Sequence, residues 1–231
     1  NKPVLVVGAS MELFFSLDPL ASELVLPVAN ESAAIKYLEG KLGNEPVPQK
    51  PLKQGVVAGF YSGAQGYQGK TVLALNTAAM LALEKSVCIV DLDTDKSGLT
   101  VLCGWNEKKT PPVDLWTAIE SSEGAAKGPG GTFVIPARLD YPGWLPSPIQ
   151  INSLISRLTA QYDYIILDFG ARVASPSTIA ALKRCETVFI ISTPFRGALS
   201  AVARFRGREM AEIGGSKIKA VINRVGADGA M

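Results

Sequence analysis

The sequence predicts an α/β fold, with a mostly parallel sheet flanked by helices and a small βαβα appendage ahead of it. Apolar runs of strand length at 56–60, 87–90, 133–135, 164–167, 188–191 and 220–222 alternate with helically spaced segments at 71–83, 151–158, 177–182 and 198–213. Alternating β and α is the pattern of a parallel sheet. The strand runs are continuously apolar, as expected of strands buried on both faces. Of 231 residues, 47% are hydrophobic and 19% charged, enough for a sizeable core and unlike a disordered chain.

The appendage is read over 1–40. An apolar strand at 4–7 ends at Gly8, and Ser10 can cap a short helix. A second strand follows at 24–28, and Asn30 caps a helix that Gly40 closes. Two βα units of this length bury little surface alone, so docking on the main domain or a partner is expected. Residues 41–54 hold Pro46, Pro48 and Pro51 among Lys41, Lys50 and Lys53 without periodicity, and read as a linker. The main domain is then 55–231. Within it, 120–131 is rich in Gly, Ser, Ala and Pro and reads as a mobile surface loop.

Composition excludes several chemistries. The chain has no His, which removes Ser-His-Asp triads, Cys-His nucleophiles and His-ligated metals. Cys88, Cys103 and Cys185 form no CxxC pair, so zinc ribbons and dithiol redox motifs are out. Cys88 lies in an apolar run and reads as a buried small hydrophobe. With 23 Lys and Arg against 21 Asp and Glu, bulk charge draws the chain to neither nucleic acid nor anionic lipid. No window of ~18 apolar residues provides a membrane span. The start at Asn1-Lys2-Pro3 has no leader pattern, and a cytoplasmic protein is expected.

The sharpest signal is Ala64-Gln65-Gly66-Tyr67-Gln68-Gly69-Lys70-Thr71, between the 56–60 strand and the helix that starts at 71. It follows G-x-x-x-x-G-K-[ST], with Ala64 at the first Gly position and Gly63 beside it. In that context successive backbone N–H groups cradle phosphates and the helix N-terminus adds positive potential. Gly66, Tyr67, Gln68, Gly69, Lys70, Thr71 and Val72 are the expected ligand-binding stretch. Lys70 reaches the terminal phosphates and the Thr71 hydroxyl holds Mg²⁺. A plain glycine-rich turn competes for an isolated GKT, but two carboxylate motifs weaken it. Asp91, Asp93 and Asp95 follow the 87–90 strand and Asp168 follows 164–167, at the sheet end where ligands bind. Asp91 and Asp168 suit a Mg²⁺ site, with turn-capping as the blander reading; Asp95 reads as a solvated charge.

The order of motifs resembles the MinD/ParA group of P-loop ATPases. The phosphate loop is followed by Asp91-x-Asp93, then Tyr162-Asp163-Tyr164-Ile165-Ile166-Leu167-Asp168, then Thr193-Pro194, then Val221-Ile222-Asn223-Arg224, and the likeness covers roughly Gly55 to Val225. The resemblance implies a P-loop NTPase fold, ATP and Mg²⁺ as ligands, and a homodimer when ATP is bound. It implies that Asp93 orients the attacking water beside Lys70, that Asp168 is the Walker B carboxylate, that Asn223 meets the adenine edge and that Pro194 flanks the base. The appendage and linker resemble the CpaE/TadZ pilus-localisation branch, whose ATPase-like domain follows a receiver-like one. The family's second loop lysine is Gln65 here, and Tyr67 stands where Gly is usual. Gln65 cannot neutralise charge on a transferring group, an effect reaching ~10³–10⁵ in rate for arginine fingers. The expectation is ATP binding with weak or absent hydrolysis, serving nucleotide-dependent positioning or assembly of a protein partner.

Other features read more plainly. Arg204 and Arg208 share a helix face, but Arg206 points elsewhere and Glu209 and Glu212 dilute the charge. A solvated face is favoured over a nucleic-acid contact. Trp105, Trp116 and Trp144 are expected at the edge of the core. Residues 227–231 contain no basic amphipathic helix of the kind that carries relatives to membranes. A small-molecule kinase or ligase remains as an alternative, but it needs an acceptor motif. A scaffold that has lost nucleotide binding is the other.

Overall fold

The computed structural model describes residues 4–7, 25–28, 54–62, 68–94, 96, 98–105, 111–121, 124–137, 144–170, 175–194, 196, 198–200 and 212–223. The chain divides into two units, Asn1–Pro51 and Leu52–Met231. In the first, β1 (Val4–Val7) and β2 (Val25–Val28) pair in parallel, Val4 opposite Val25. The helices expected after each strand lie outside the described residues, as does the linker up to residue 53.

Among its described residues the second unit holds seven strands: β3 (Val56–Tyr61), β4 (Val87–Leu92), β5 (Ala126–Lys127), β6 (Phe133–Ile135), β7 (Tyr164–Phe169), β8 (Thr187–Ser192) and β9 (Ile218–Ile222). Their order across the sheet is β5-β6-β4-β7-β3-β8-β9. Every pairing is parallel except β5 with β6. The expected mostly parallel sheet flanked by helices is therefore the fold observed. Parallel strands need crossover connections. These hold α1 (Lys70–Leu81), α2 (Gly98–Leu102), α3 (Leu115–Glu120), α4 (Pro148–Gln161) and α5 (Pro176–Arg184).

Alternation along the strands divides the core between two faces. Cys88, Val90, Ile165 and Leu167 join Leu115, Ala118, Ile151, Leu154, Ile155, Leu158, Ala181 and Leu182 under α3, α4 and α5. Val87, Ile89 and Ile166 join Ala74, Ala78, Leu99 and Trp105 under α1 and α2. Cys88 is buried, as its apolar run implies. Trp116 and Trp144 meet edge to face, centroids 4.9 Å apart, and Trp144 packs on the first cluster.

Helix starts are set by their caps. Ser147 and Gln150 form a capping box ahead of α4, and the Ser175 oxygen accepts from the Thr178 N–H ahead of α5. Both helices have Pro in the first turn, where its missing N–H costs nothing. These caps start each helix ahead of the segments at 151–158 and 177–182 that apolar spacing alone marks. Strands β4 and β7 are knit at their starts: Ser86 donates its N–H and hydroxyl to Asp163 Oδ2, at 2.8 and 2.6 Å.

Two expectations are corrected, and a third lies mostly outside the described residues. The segment expected as a loop over 120–131 contains the end of α3, the strand β5 and a 3₁₀ turn at Pro129–Gly131. Gly130 and Gly131 take φ of 64° and 79° there, a turn that reverses the chain and makes β5 antiparallel to β6. The run at 220–222 is not buried on both faces: among the described residues β9 ends the sheet, and Ile222 is largely exposed. The helix expected over 198–213 has only its ends among the described residues, at 198–200 and 212–213.

The entry into the sheet is tight. Gly55 donates to the Thr159 carbonyl at 2.8 Å and Val56 to that of Asp163 at 2.9 Å. A Cβ on Gly55 would lie 2.1 Å from the Tyr162 carbonyl oxygen, so no side chain fits there.

Candidate functional site

The site forms where β3, β4 and β7 end. β3 is paired on both sides, by β7 and β8, and the loop that follows it leads into α1. Unlike α3, α4 and α5, α1 has no side-chain cap. Its N-cap is Gly69 at φ 79°, a left-handed conformation that glycine adopts without strain. The first N–H groups of the helix are thereby left for a ligand at its positive end. Gln65, Gly66, Tyr67 and Asp95 lie outside the described residues.

Lys70, in the first turn of α1, is buried. Its Nζ lies 3.5 Å from Asp168 Oδ1 and 3.6 Å from Asp93 Oδ2. The parallel register sets Asp91 on β4 directly beside Asp168 on β7. Both are fully buried, and Asp91 Oδ1 accepts the Asp93 N–H at 2.9 Å. Asp93 is held against Gly170, where a Cβ would come within 3.1 Å of its carboxylate. Thr71 faces Gly98 at the start of α2, and a Cβ at Gly98 would sit 3.6 Å from the Thr71 hydroxyl. The fold thus brings Lys70, Thr71, Asp91, Asp93 and Asp168 together. The Val72 side chain is about half exposed and stays outside this cluster.

Charge is out of balance here. Burial pushes the Asp168 carboxyl up, against the lowering effect of Lys70 and a Thr71 contact. Asp91 is raised well above the ordinary carboxylate range, by burial first and then by the neighbouring Asp168 charge. Asp91 Oδ2 and both Asp168 oxygens are buried without a well-formed hydrogen bond. Lys70 and Thr71 stand near Asp168 and stabilise its charge, but short of good bonding geometry. Orphaned carboxylate oxygens beside a hydroxyl are what a hydrated Mg²⁺ would satisfy. Among the described residues no three His, Cys, Asp or Glu side chains form a metal cluster. The donor set therefore fits a cation that draws its other ligands from water and phosphate.

A second group closes the site from β8 and β9. The Asn223 backbone N–H donates to the Ser192 carbonyl at 2.7 Å. Its side-chain Nδ2 donates to the Gln68 carbonyl at 2.9 Å. Thr193 Oγ1 donates to Gln68 Oε1 at 3.1 Å. Pro194 follows on the same turn and is partly exposed. Sequence reasoning, through the resemblance, gave Asn223 an adenine edge; one N–H of its amide also meets the phosphate loop at the Gln68 carbonyl. It missed the parts of Thr193, Gly98 and Gly170. Thr193 was visible beside Pro194 but carried no role, and the two glycines act through close approach, which leaves no motif.

The fold agrees with comparisons to known proteins. No family model matches the chain. It is 26% identical over 166 residues to the septum site-determining protein MinD of Thermotoga maritima, covering 69% of this chain and 61% of that protein. The chain thus spans about three-fifths of that curated relative. A ParA family ATPase from Chlorobium tepidum superposes with a TM-score of 0.62 at 24% identity, over 75% of each chain. The septum site-determining protein MinD of Pyrococcus horikoshii, complexed with Mg-ADP, gives a TM-score of 0.59 at 17% identity, over 76% of this chain and 72% of that one. Likeness in sequence, a shared fold and the matching order of loop and carboxylates make this chain similar to the MinD/ParA group of P-loop ATPases.

Proposed function

We propose that the chain binds ATP with Mg²⁺ at the loop ending in Gly69-Lys70-Thr71, dimerises when ATP is bound and thereby positions or assembles a protein partner in the cytoplasm. One observation carries the reading: a buried lysine in the first turn of an uncapped helix, 3.5 and 3.6 Å from two carboxylates at the ends of adjacent strands. The Mg-ADP complex of the Pyrococcus horikoshii relative supports it. The parallel β1–β2 pair in the first unit is in keeping with the pilus-localisation branch.

The residues divide the work. Lys70 gives its ammonium to the terminal phosphates, and the free N–H groups of α1 add to it. Thr71 and Asp168, with Asp91 beside them, hold Mg²⁺, which when bound polarises phosphoryl oxygens as a Lewis acid. Asp93, the least buried of the three carboxylates, holds and orients a water molecule. Gln65 carries no charge at the position of the family's signature lysine, so hydrolysis is weak or absent.

Titration calorimetry with Mg-ATP tests the binding, with Lys70→Ala as control. Heat from the wild type and none from the variant is the expected result. Solution mass should shift from monomer to dimer on adding Mg-ATP. Gln65→Lys should raise a low turnover; wild-type turnover equal to that of lysine-bearing relatives refutes the hydrolysis claim.

A further inference from the structure

The contacts at Gln68 make a structure of their own. Two strand ends that are neighbours in the sheet, β8 and β9, converge on one residue of the phosphate loop. Asn223 takes its main-chain carbonyl and Thr193 its side-chain carbonyl. Asn223 is itself fixed to β8 through the Ser192 carbonyl. Next along the chain, Gly69 sits so close that a Cβ would lie 2.3 Å from Asn223 Nδ2. Gln68 is therefore held at both ends, and the turn into α1 is pressed against the same amide.

We propose that Thr193, Asn223 and Gln68 form a clamp that positions the end of the phosphate loop, so that Asn223 and Thr193 act as positioning residues for phosphate binding. One N–H of the Asn223 amide, held at 2.9 Å by the Gln68 main-chain carbonyl, ties the end of β9 to the loop backbone. A glutamine bonded at both ends fixes the backbone that leads to Gly69 and Lys70, whose N–H groups and ammonium meet the phosphates. Preorganised donors bind an anion more tightly because the ordering is already done. The ligand side of the idea rests on the nucleotide reading above; the clamp itself does not.

The two are separated by measuring each. Amide hydrogen exchange on the ligand-free protein reads the clamp directly. Thr193→Val, which keeps shape and removes the hydroxyl, and Asn223→Ala should speed exchange in peptides spanning 62–71 by about 3- to 10-fold, the range for one hydrogen bond. Thr193→Ser should restore it, and Thr193→Val combined with Gln68→Leu should be no worse than either alone. Unchanged exchange in both single variants overturns the clamp. Calorimetry with Mg-tripolyphosphate, Mg-ATP and Mg-GTP reads the consequence. The clamp predicts that Asn223→Ala weakens tripolyphosphate by about 3- to 10-fold and ATP and GTP by at least as much. Intact tripolyphosphate binding in Asn223→Ala overturns the proposal. A wild type that binds none of the three while exchange still responds sinks the nucleotide reading and leaves the clamp standing.

Discussion

The two faces of the sheet are built differently. Under α3, α4 and α5 each helix has a capped start: Asp114 with Thr117, Ser147 with Gln150, and Ser175 toward Thr178. Under α1 and α2 the leading helix begins at a left-handed glycine with no cap at all. Large apolar side chains on that face also stand in the open, among them Met80, Leu83, Val101 and Leu102. One face is made to be stable. The other leaves its helix end unsatisfied, and that is where the buried lysine sits. A capping serine at position 69 would occupy the N–H groups that an anion needs.

The contrast can be broken from either side. The largest effects separate the two roles. Leu158→Ala, in the core under α4, should lower unfolding free energy by about 2–5 kcal/mol in denaturant melts, with Mg-ATP affinity kept in the folded fraction. Lys70→Ala should weaken Mg-ATP binding by about 100-fold or more, as expected when charge-assisted bonds are lost. Gly69→Ala should fail in both respects. A left-handed alanine costs roughly 1–2 kcal/mol, and its Cβ collides with Asn223. Removing a cap should matter less: Ser147→Ala and Ser175→Ala are each expected to cost about 1 kcal/mol with no change in binding. Met80→Gln, on the open face of α1, should stay within about 0.5 kcal/mol of wild type.

The thiols sharpen the same comparison. Burial pushes Cys185, in the α5-side core, up to about 12, and Cys103, beside α2, up to about 11. For an acid whose folded pKa is raised, the native state keeps its proton while the unfolded chain loses it. Stability is then whole below the unfolded value and declines as pH climbs above about 9 toward those values. Alkaline melts should show that slope, less steep in Cys185→Ala. In native protein, iodoacetamide should label Cys103 well before Cys88 or Cys185, which are both buried.

Much of this was legible in the chain. Continuous apolar runs announced β3, β4, β7 and β8, because strands buried on both faces must be apolar throughout. Lys70, Thr71, Asp91, Asp93 and Asp168 could be named because their chemistry needs those residue types at strand ends. The elements that escaped are held by tertiary contact. α2 is five residues long, too short for any periodicity, and exists because Leu99 fills the core beneath it. β5 is two residues long and hides in a glycine-rich stretch whose turn only its φ angles reveal. The hold of Asn223 on Gln68 spans 155 positions, and no local pattern encodes it.

The buried junction at Gly55 carries a mechanical meaning. The strand it feeds, β3, is clasped on both sides and delivers the chain into the phosphate loop. A tug on the chain ahead of Gly55 is therefore loaded onto β3 as shear, and the Gly55 and Val56 bonds to Thr159 and Asp163 bear it first.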